Sequence, residues 1–575
     1  MDKNTITGTI LLFVVLIGFY IYNVPSEDEI KLAKFKRDSL AYVEKQKDIQ
    51  KAESLKKAAA LKQIQDSVSN NLSDSAKSAL LQKEFGTFAD AMIGEKKNYE
   101  LENELLKITI SNKGGRISKV LIKNYKTFDG KPLELMDGDS SRFAIDFFAQ
   151  DKKCSTDSFF FRTDGSSFNI TGSENKSLSM RLYAGENKYI EYLYTLKGKD
   201  YLIDFKINVV GMDNVIAPDN KELSLNWQMN MPSLEKSIEN QRNASSIFYY
   251  FDNGEFDNIS EQKNEKQNLE NKTKWIGFKQ QYFSSVIISE AGFEKPEIET
   301  SSNPASEKFV KNTRAKITLP YNHGSTESYA MRFYFGPNHY NTLKSYDLGL
   351  EKLVPLGWGI FGWVNKFAVI PLFNFLDGFN LNYGIIILLL TIIIKLVLFP
   401  LTFKAYLSSA KMRVLKPEMD EINKKLEKED ALKKQQATME LYRKAGVNPL
   451  GGCLPMLLQM PILIAMFRFF PASIELRQQS FLWADDLSTY DSIYDFGFNI
   501  PFYGDHVSLF TLLMTISTII YTRMNNQLTA DNPQMAQLKW MMYLMPIIFL
   551  GVFNNYSSGL SYYYFLANML SLIHI

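Results

Sequence analysis

The chain has 575 residues and a formal net charge of +2, too long for one domain and too evenly charged to suggest nucleic acid as a partner. Two cysteines and four histidines leave little scope for a metal site. They also exclude a disulfide framework, because Cys154 falls in a soluble segment and Cys453 in an apolar one.

Residues Asn4 to Ser26 carry no charge and contain the apolar run Ile10–Tyr20. Neither an Ala-x-Ala-like cleavage site nor a cysteine follows. The stretch therefore reads as an uncleaved transmembrane anchor, not as a signal peptide. Residues 27–100 are rich in Lys, Glu, Asp, Gln, Ser and Ala and read as a charged, partly helical linker.

Between 101 and 345 the pattern changes. Leu223–Met231 and Ile203–Val209 alternate apolar and polar residues, as does Ser177–Leu182. Such period-2 runs, broken by Gly, Asn and Asp clusters, predict antiparallel strands with one wet face. The length suits a large β-sandwich with its own core. Its only histidines, His323 and His339, lie near its end, and no paired acid and base is visible for catalysis.

Residues 351–379 mix Trp358, Phe361, Trp363, Phe367, Phe373 and Phe375 with prolines and charges. They read as an interfacial amphipathic helix. An apolar run over 382–403 then follows, with Lys395 as its single charge. A lysine at mid-membrane costs roughly 2.5–3.5 kcal/mol, so it is expected to face a polar cavity or a partner. Snorkelling is the bland alternative. The next cation, Lys404, is about 13 Å further along the helix at 1.5 Å per residue. Thr391 and Thr402 share the helix face of Lys395, which suggests a hydrated groove. Pro400 is expected to end this span.

Residues 404–444 hold eleven Lys/Arg against seven Asp/Glu and read as a helical hairpin. Further apolar spans are expected at about 447–467, 507–522, 540–553 and 560–575, giving six with the anchor. Pro455 and Pro461 are expected to interrupt the first of these. The 471–506 loop has six acids and only Arg477. The positive-inside rule places the 404–444 hairpin in the cytoplasm, the 471–506 loop and the β domain outside, and the N-terminus inside.

Of 21 methionines, 13 lie after residue 400. Met456, Met460, Leu463 and Phe467 share one helix face, and Met542, Met545, Phe549 and Val552 another. Ordinary helix packing accounts for either face taken alone. Beside a cationic groove, adaptable methionine-rich walls suit varied apolar segments. No nucleophile–base pattern, phosphate loop or cofactor motif stands out. A secondary transporter using Lys395 for an anion or proton is the competing reading, but no paired repeat with interrupted helices supports it. A membrane-anchored glycan-binding protein is a third reading, and it leaves the six spans without a role.

The run Asn448-Pro449-Leu-Gly451-Gly452-Cys-Leu-Pro455-Met-Leu-Leu-Gln459-Met-Pro461 closely resembles the signature of YidC-type membrane protein insertases. Phe399–Thr402, Ala410–Arg413, Glu475–Arg477 and Ser558–Leu560 match the same pattern in order and spacing. The resemblance covers roughly 382–570; the N-terminal half resembles the Gram-negative branch more loosely. It implies a multi-domain membrane protein. An α-helical core of five transmembrane helices joins an N-terminal anchor and a large all-β periplasmic β-supersandwich of the sugar-mutarotase type.

The resemblance also implies a groove open to cytoplasm and lipid, lined at Lys395, Thr391, Tyr564 and Thr402. The implied partners are nascent inner-membrane proteins, the Sec translocon and the lipid bilayer, with no catalytic residues, cofactor or metal. The family's groove cation is usually arginine; lysine keeps the charge but loses the planar donor fork. The sequence closes at Leu572–Ile575, inside the last apolar run. The basic tail linked in the family to ribosome contact is not among these residues.

Overall fold

The computed structural model describes residues 74–149, 151–426, 431–446, 454–528 and 536–573. The expected anchor at 4–26, most of the linker, and Asn448, Pro449, Gly451 and Gly452 lie outside them. The chain divides into two units, Met1–Ala89 and Asp90–Ile575. In the first, the described residues form a helix, Asp74–Phe85.

The second unit opens with β structure. Strands run from Asn98 to Pro337 in two sheets, one of five strands and one of thirteen. The predicted alternation is realised. Leu223, Leu225, Trp227, Met229 and Met231 are buried along Glu222–Pro232, as are Phe205, Ile207 and Val209 along Leu202–Val210. An extended backbone sends successive side chains to opposite faces, so each strand contributes one apolar row to the core.

The rows meet in an aromatic centre. Trp227 stacks on Phe278 at 3.9 Å, and Phe143 meets Phe205 edge-on at 5.5 Å. Strand Phe283–Ser301 joins the two halves of the large sheet. Its first part pairs with Thr326–Pro337 and its second with Phe309–Pro320. It changes partner around Gly292, whose φ of +77° a side chain would strain.

A helical part follows. Gly359–Val364, a π-helical turn Asn365–Val369 and Ile370–Asp377 run end to end. Val369, Ile370, Phe373 and Leu376 are buried on one side, while Trp358, Ile360, Trp363, Phe367 and Phe375 are exposed. Asn365 fixes the π turn by donating to the carbonyls of Leu356 at 2.7 Å and Ala465 at 2.8 Å.

Then come α1 (Tyr383–Val414), α2 (Lys416–Lys425), α3 (Ala431–Lys444), α4 (Leu454–Ala472), α5 (Leu509–Leu528), α6 (Ala536–Asn554) and α7 (Ser558–Ile573). α1, α4, α5, α6 and α7 fall on the five apolar stretches expected after residue 380.

Two proline expectations are corrected. Pro400 does not end α1, which continues fourteen residues to Val414. Proline removes one backbone donor but keeps a helical φ. The Thr402 hydroxyl donates to the Leu398 and Phe399 carbonyls beside it. Pro461 likewise sits within an unbroken α4, and Pro455 falls in its first turn, where the missing N–H has no intrahelical partner anyway. The charged hairpin is correspondingly short. α2 and α3 meet through Met419 and Tyr442, with Leu415 and Leu441 packed beside them.

The β part and the helices share one apolar cluster. It runs from Trp275, Val286 and Tyr334 through Leu353 and Phe373 to Ile386, Leu390, Phe470, Leu560 and Tyr562. A buried ion pair reinforces the junction. Arg477 Nε lies 3.0 and 2.9 Å from the two carboxylate oxygens of Glu235. Burial holds the Glu235 carboxyl up at about 7, even though Arg477 beside it pulls the other way. Asn240 adds a bond to the Asn555 carbonyl at 2.6 Å, and Tyr282 one to the Ser488 carbonyl at 3.3 Å.

Candidate functional site

The site is assembled by α1, α5 and α7. The inner face of α1 buries Ile386, Ile387, Leu390 and Thr391, while Leu396 and Val397 are exposed on the outside. Lys395 lies between these faces, half-buried. Its ammonium donates to Ser571 Oγ on α7 at 2.8 Å, and that hydroxyl donates to the Ala567 carbonyl at 2.8 Å. Among the described residues no carboxylate forms an ion pair with Lys395. The cation is therefore held by a neutral oxygen, and its charge is uncompensated locally.

A polar row on α7 continues from this contact. Tyr564, Asn568 and Ser571 follow at helical spacing and share one face. Asn568 donates to Thr518 Oγ1 at 2.8 Å and Ser517 Oγ at 3.3 Å on α5. Deeper in, the hydroxyls of Thr511 and Ser561 are 3.1 Å apart. α5 thus carries the matching row Thr511, Thr515 and Thr518. Two apolar helices pack through hydroxyl and amide groups because the bilayer offers no water to satisfy such groups.

The predicted groove residues divide. Lys395 engages α7 through Ser571. Thr391 is fully buried and donates to its own helix at Ile387 O, 2.6 Å away. Thr402 also bonds its own helix. The Tyr564 hydroxyl reaches the Leu463 carbonyl on α4 at 3.4 Å, while its ring packs 5.6 Å from Phe553. The structure therefore brings Lys395 to Ser571 and leaves both threonines in backbone bonds. Ser571, Asn568, Thr518 and Ser517 escaped the sequence reading. Their signal was a polar residue at every third or fourth position of α7 and the matching Thr511, Thr515 and Thr518 spacing of α5.

The apolar walls stand next to this row. Met460 on α4 and Met545 and Phe549 on α6 are exposed, and Met542 is half-buried. Phe467 packs its ring 5.9 Å from Phe553 and 5.5 Å from Tyr556. Gln459 is half-buried early in α4, near Pro461. The side chain of Met456 is outside the described set.

A large antiparallel sandwich fused to a bundle of apolar helices, with a lysine held by a serine hydroxyl between two of them, defines a multi-pass membrane protein with a big domain outside the bilayer. Residues 375–575 match the family described as 60Kd inner membrane protein, and residues 98–370 match the YidC periplasmic domain. The chain is 43% identical to the membrane protein insertase YidC of Parabacteroides distasonis, across 100% of this chain and 91% of that relative. It is 43% identical to that of Bacteroides fragilis, with the same two coverages, and 41% identical to that of Phocaeicola vulgatus, covering 100% and 90%. The chain belongs to the YidC family of membrane protein insertases, inner-membrane proteins with a periplasmic domain. These comparisons give the transporter reading no support.

Proposed function

We propose that this insertase moves nascent transmembrane segments from the cytoplasm into the inner membrane along the α1/α5/α7 face, without covalent catalysis. The observation that carries this reading is Lys395: a cation in an apolar helix, held by one serine hydroxyl. Such a group attracts the polar or acidic tail of an entering chain and shortens that tail's path through hydrocarbon. Asn568, Thr518 and Tyr564 offer the tail hydrogen bonds in place of water. The exposed Met460, Met545 and Phe549 then present a soft apolar wall along which the following segment passes to lipid.

Charge asymmetry supports the direction. The basic 404–444 segment faces the cytoplasm and receives the chain, the N-terminus lies on the same side, and the acidic 471–506 loop lies outside. Insertion proceeds alone for substrates with short translocated tails and beside the Sec translocon for others.

Proteoliposomes containing only this protein test the reading. A single-span substrate with a short acidic tail is expected to become protease-protected in them, well above protein-free liposomes. Equal protection in both would overturn it.

A further inference from the structure

The outer loop between α4 and α5 ends in a two-stranded hairpin, Tyr494–Ile500 paired with Gly504–Val507. No third strand joins it among the described residues. Its aromatic rings form a ladder: Tyr494 to Phe496 is 5.5 Å, Phe496 to Phe498 5.9 Å, and Phe496 to Tyr503 6.2 Å. The intervening residues are Asp495, Gly497 and Asn499. Aromatic rings thus recur at every second position, 494, 496 and 498, on a strand that bulges between Asp495 and Ile500, where Gly497 takes a φ of +75°.

The turn is stranger still. Tyr503 N–H donates to Ile500 O at 3.0 Å, closing a turn with Pro501 second and Phe502 third. Phe502 has a φ of +67°. Glycine or asparagine is the favoured residue at such a position, and a bulky side chain there strains the backbone. Phe502 is nevertheless 100% exposed, with Phe498 at 64%. The local folding of the hairpin gives no reason for an aromatic ring at this tip.

The hairpin is rigidly placed. Asn554, the last residue of α6, donates to the carbonyls of His506 at 2.8 Å and Tyr503 at 3.0 Å. The Phe502 carbonyl lies 2.5 Å from where a Cβ on Gly551 would stand, so the turn rests directly on α6. The exposed apolar surface of α6, comprising Ile547, Ile548, Phe549 and Val552, runs up to this contact. The lipid-facing surface of the helix therefore continues onto the hairpin without a break.

We propose that this hairpin is a membrane anchor, inserting Phe498 and Phe502 into the interfacial layer of the outer leaflet. Aromatic side chains favour that layer. The hairpin carries Asp495 and Asp505 and no lysine or arginine, so its lipid partner is a neutral interface and not an anionic headgroup. The anchor holds the outer ends of α5, α6 and α7 at a fixed depth. The inference rests on the orientation proposed above, which puts the loop on the periplasmic side.

Nitroxide labels at F498C, F502C and N499C, in the full chain with C154S and C453S, test the proposal in phosphatidylcholine nanodiscs. Labels 498 and 502 are expected to collide with oxygen several-fold more readily, relative to a water-soluble nickel chelate, than label 499. Replacing part of the lipid with phosphatidylglycerol should leave that contrast unchanged. Equal nickel access at all three positions, or insertion only with phosphatidylglycerol, would overturn the anchor. An impermeant maleimide reacting with N499C in intact spheroplasts tests the orientation separately.

Discussion

Lys395→Ala is expected to abolish insertion of Sec-independent substrates in a depletion strain, while Lys395→Arg retains it. An aspartate at the bilayer centre costs about 2.5–3.5 kcal/mol. A cation that offsets most of that cost lowers the barrier by the equivalent of about two powers of ten in rate. Alanine removes the charge and leaves Ser571 bonded to its own helix at Ala567, so the fold has no buried charge or orphaned hydroxyl to accommodate. Arginine keeps the charge and adds donors. Pulse-labelled substrate and protease protection give the readout. Full activity of the alanine variant would mean that the charge has no role.

Arg477→Ala is expected to be the most damaging change to stability outside the membrane. Both partners of the Arg477–Glu235 pair are buried, and breaking such a pair by removing one member costs about 3–5 kcal/mol. The loss should depend on pH. Burial already holds the Glu235 carboxyl above its ordinary range, and without Arg477 it rises further. A carboxyl whose pKa is higher folded than unfolded favours the fold at low pH and loses that contribution as pH rises. Thermal unfolding of the detergent-solubilised variant should therefore show a smaller deficit at pH 5 than at pH 8. A deficit that grows on acidification would contradict this charge assignment. Arg477→Lys keeps the charge but not the guanidinium geometry, so it should fall between the variant and the parent.

The β domain was legible because its cause is local. The rows around Trp227 and Phe205 follow directly from the two-residue repeat of a strand with one buried face. Lys395 was legible because a single charge in an apolar run stands out whatever its neighbours. Its partner was not. Ser571 is a small hydroxyl residue of a kind that apolar helices carry routinely, and only the packing of α7 against α1 gives it meaning. Thr391 and Thr402 show the converse: they share the correct face, yet a helix offers each hydroxyl a carbonyl of its own one turn back, and both take it. The prolines misled for a similar reason, since one missing donor is a local penalty that the packing of a long helix outweighs. The junction was least accessible of all. Glu235 and Arg477 are 242 residues apart in sequence, and nothing in either neighbourhood marks the other.

The family assignment makes the chain an insertase; the claim specific to this molecule is that the substrate passes along the face containing Lys395. Photo-crosslinking a stalled nascent chain is the most direct test. A photoreactive residue placed at Thr518 or Asn568, on the polar row, should crosslink a chain whose transmembrane segment has just emerged from the ribosome. The same probe at Val397, on the exposed outer side of α1, should crosslink weakly at that length and gain only as the chain lengthens. Strong early crosslinks at Val397 with none at Thr518 or Asn568 would contradict the account.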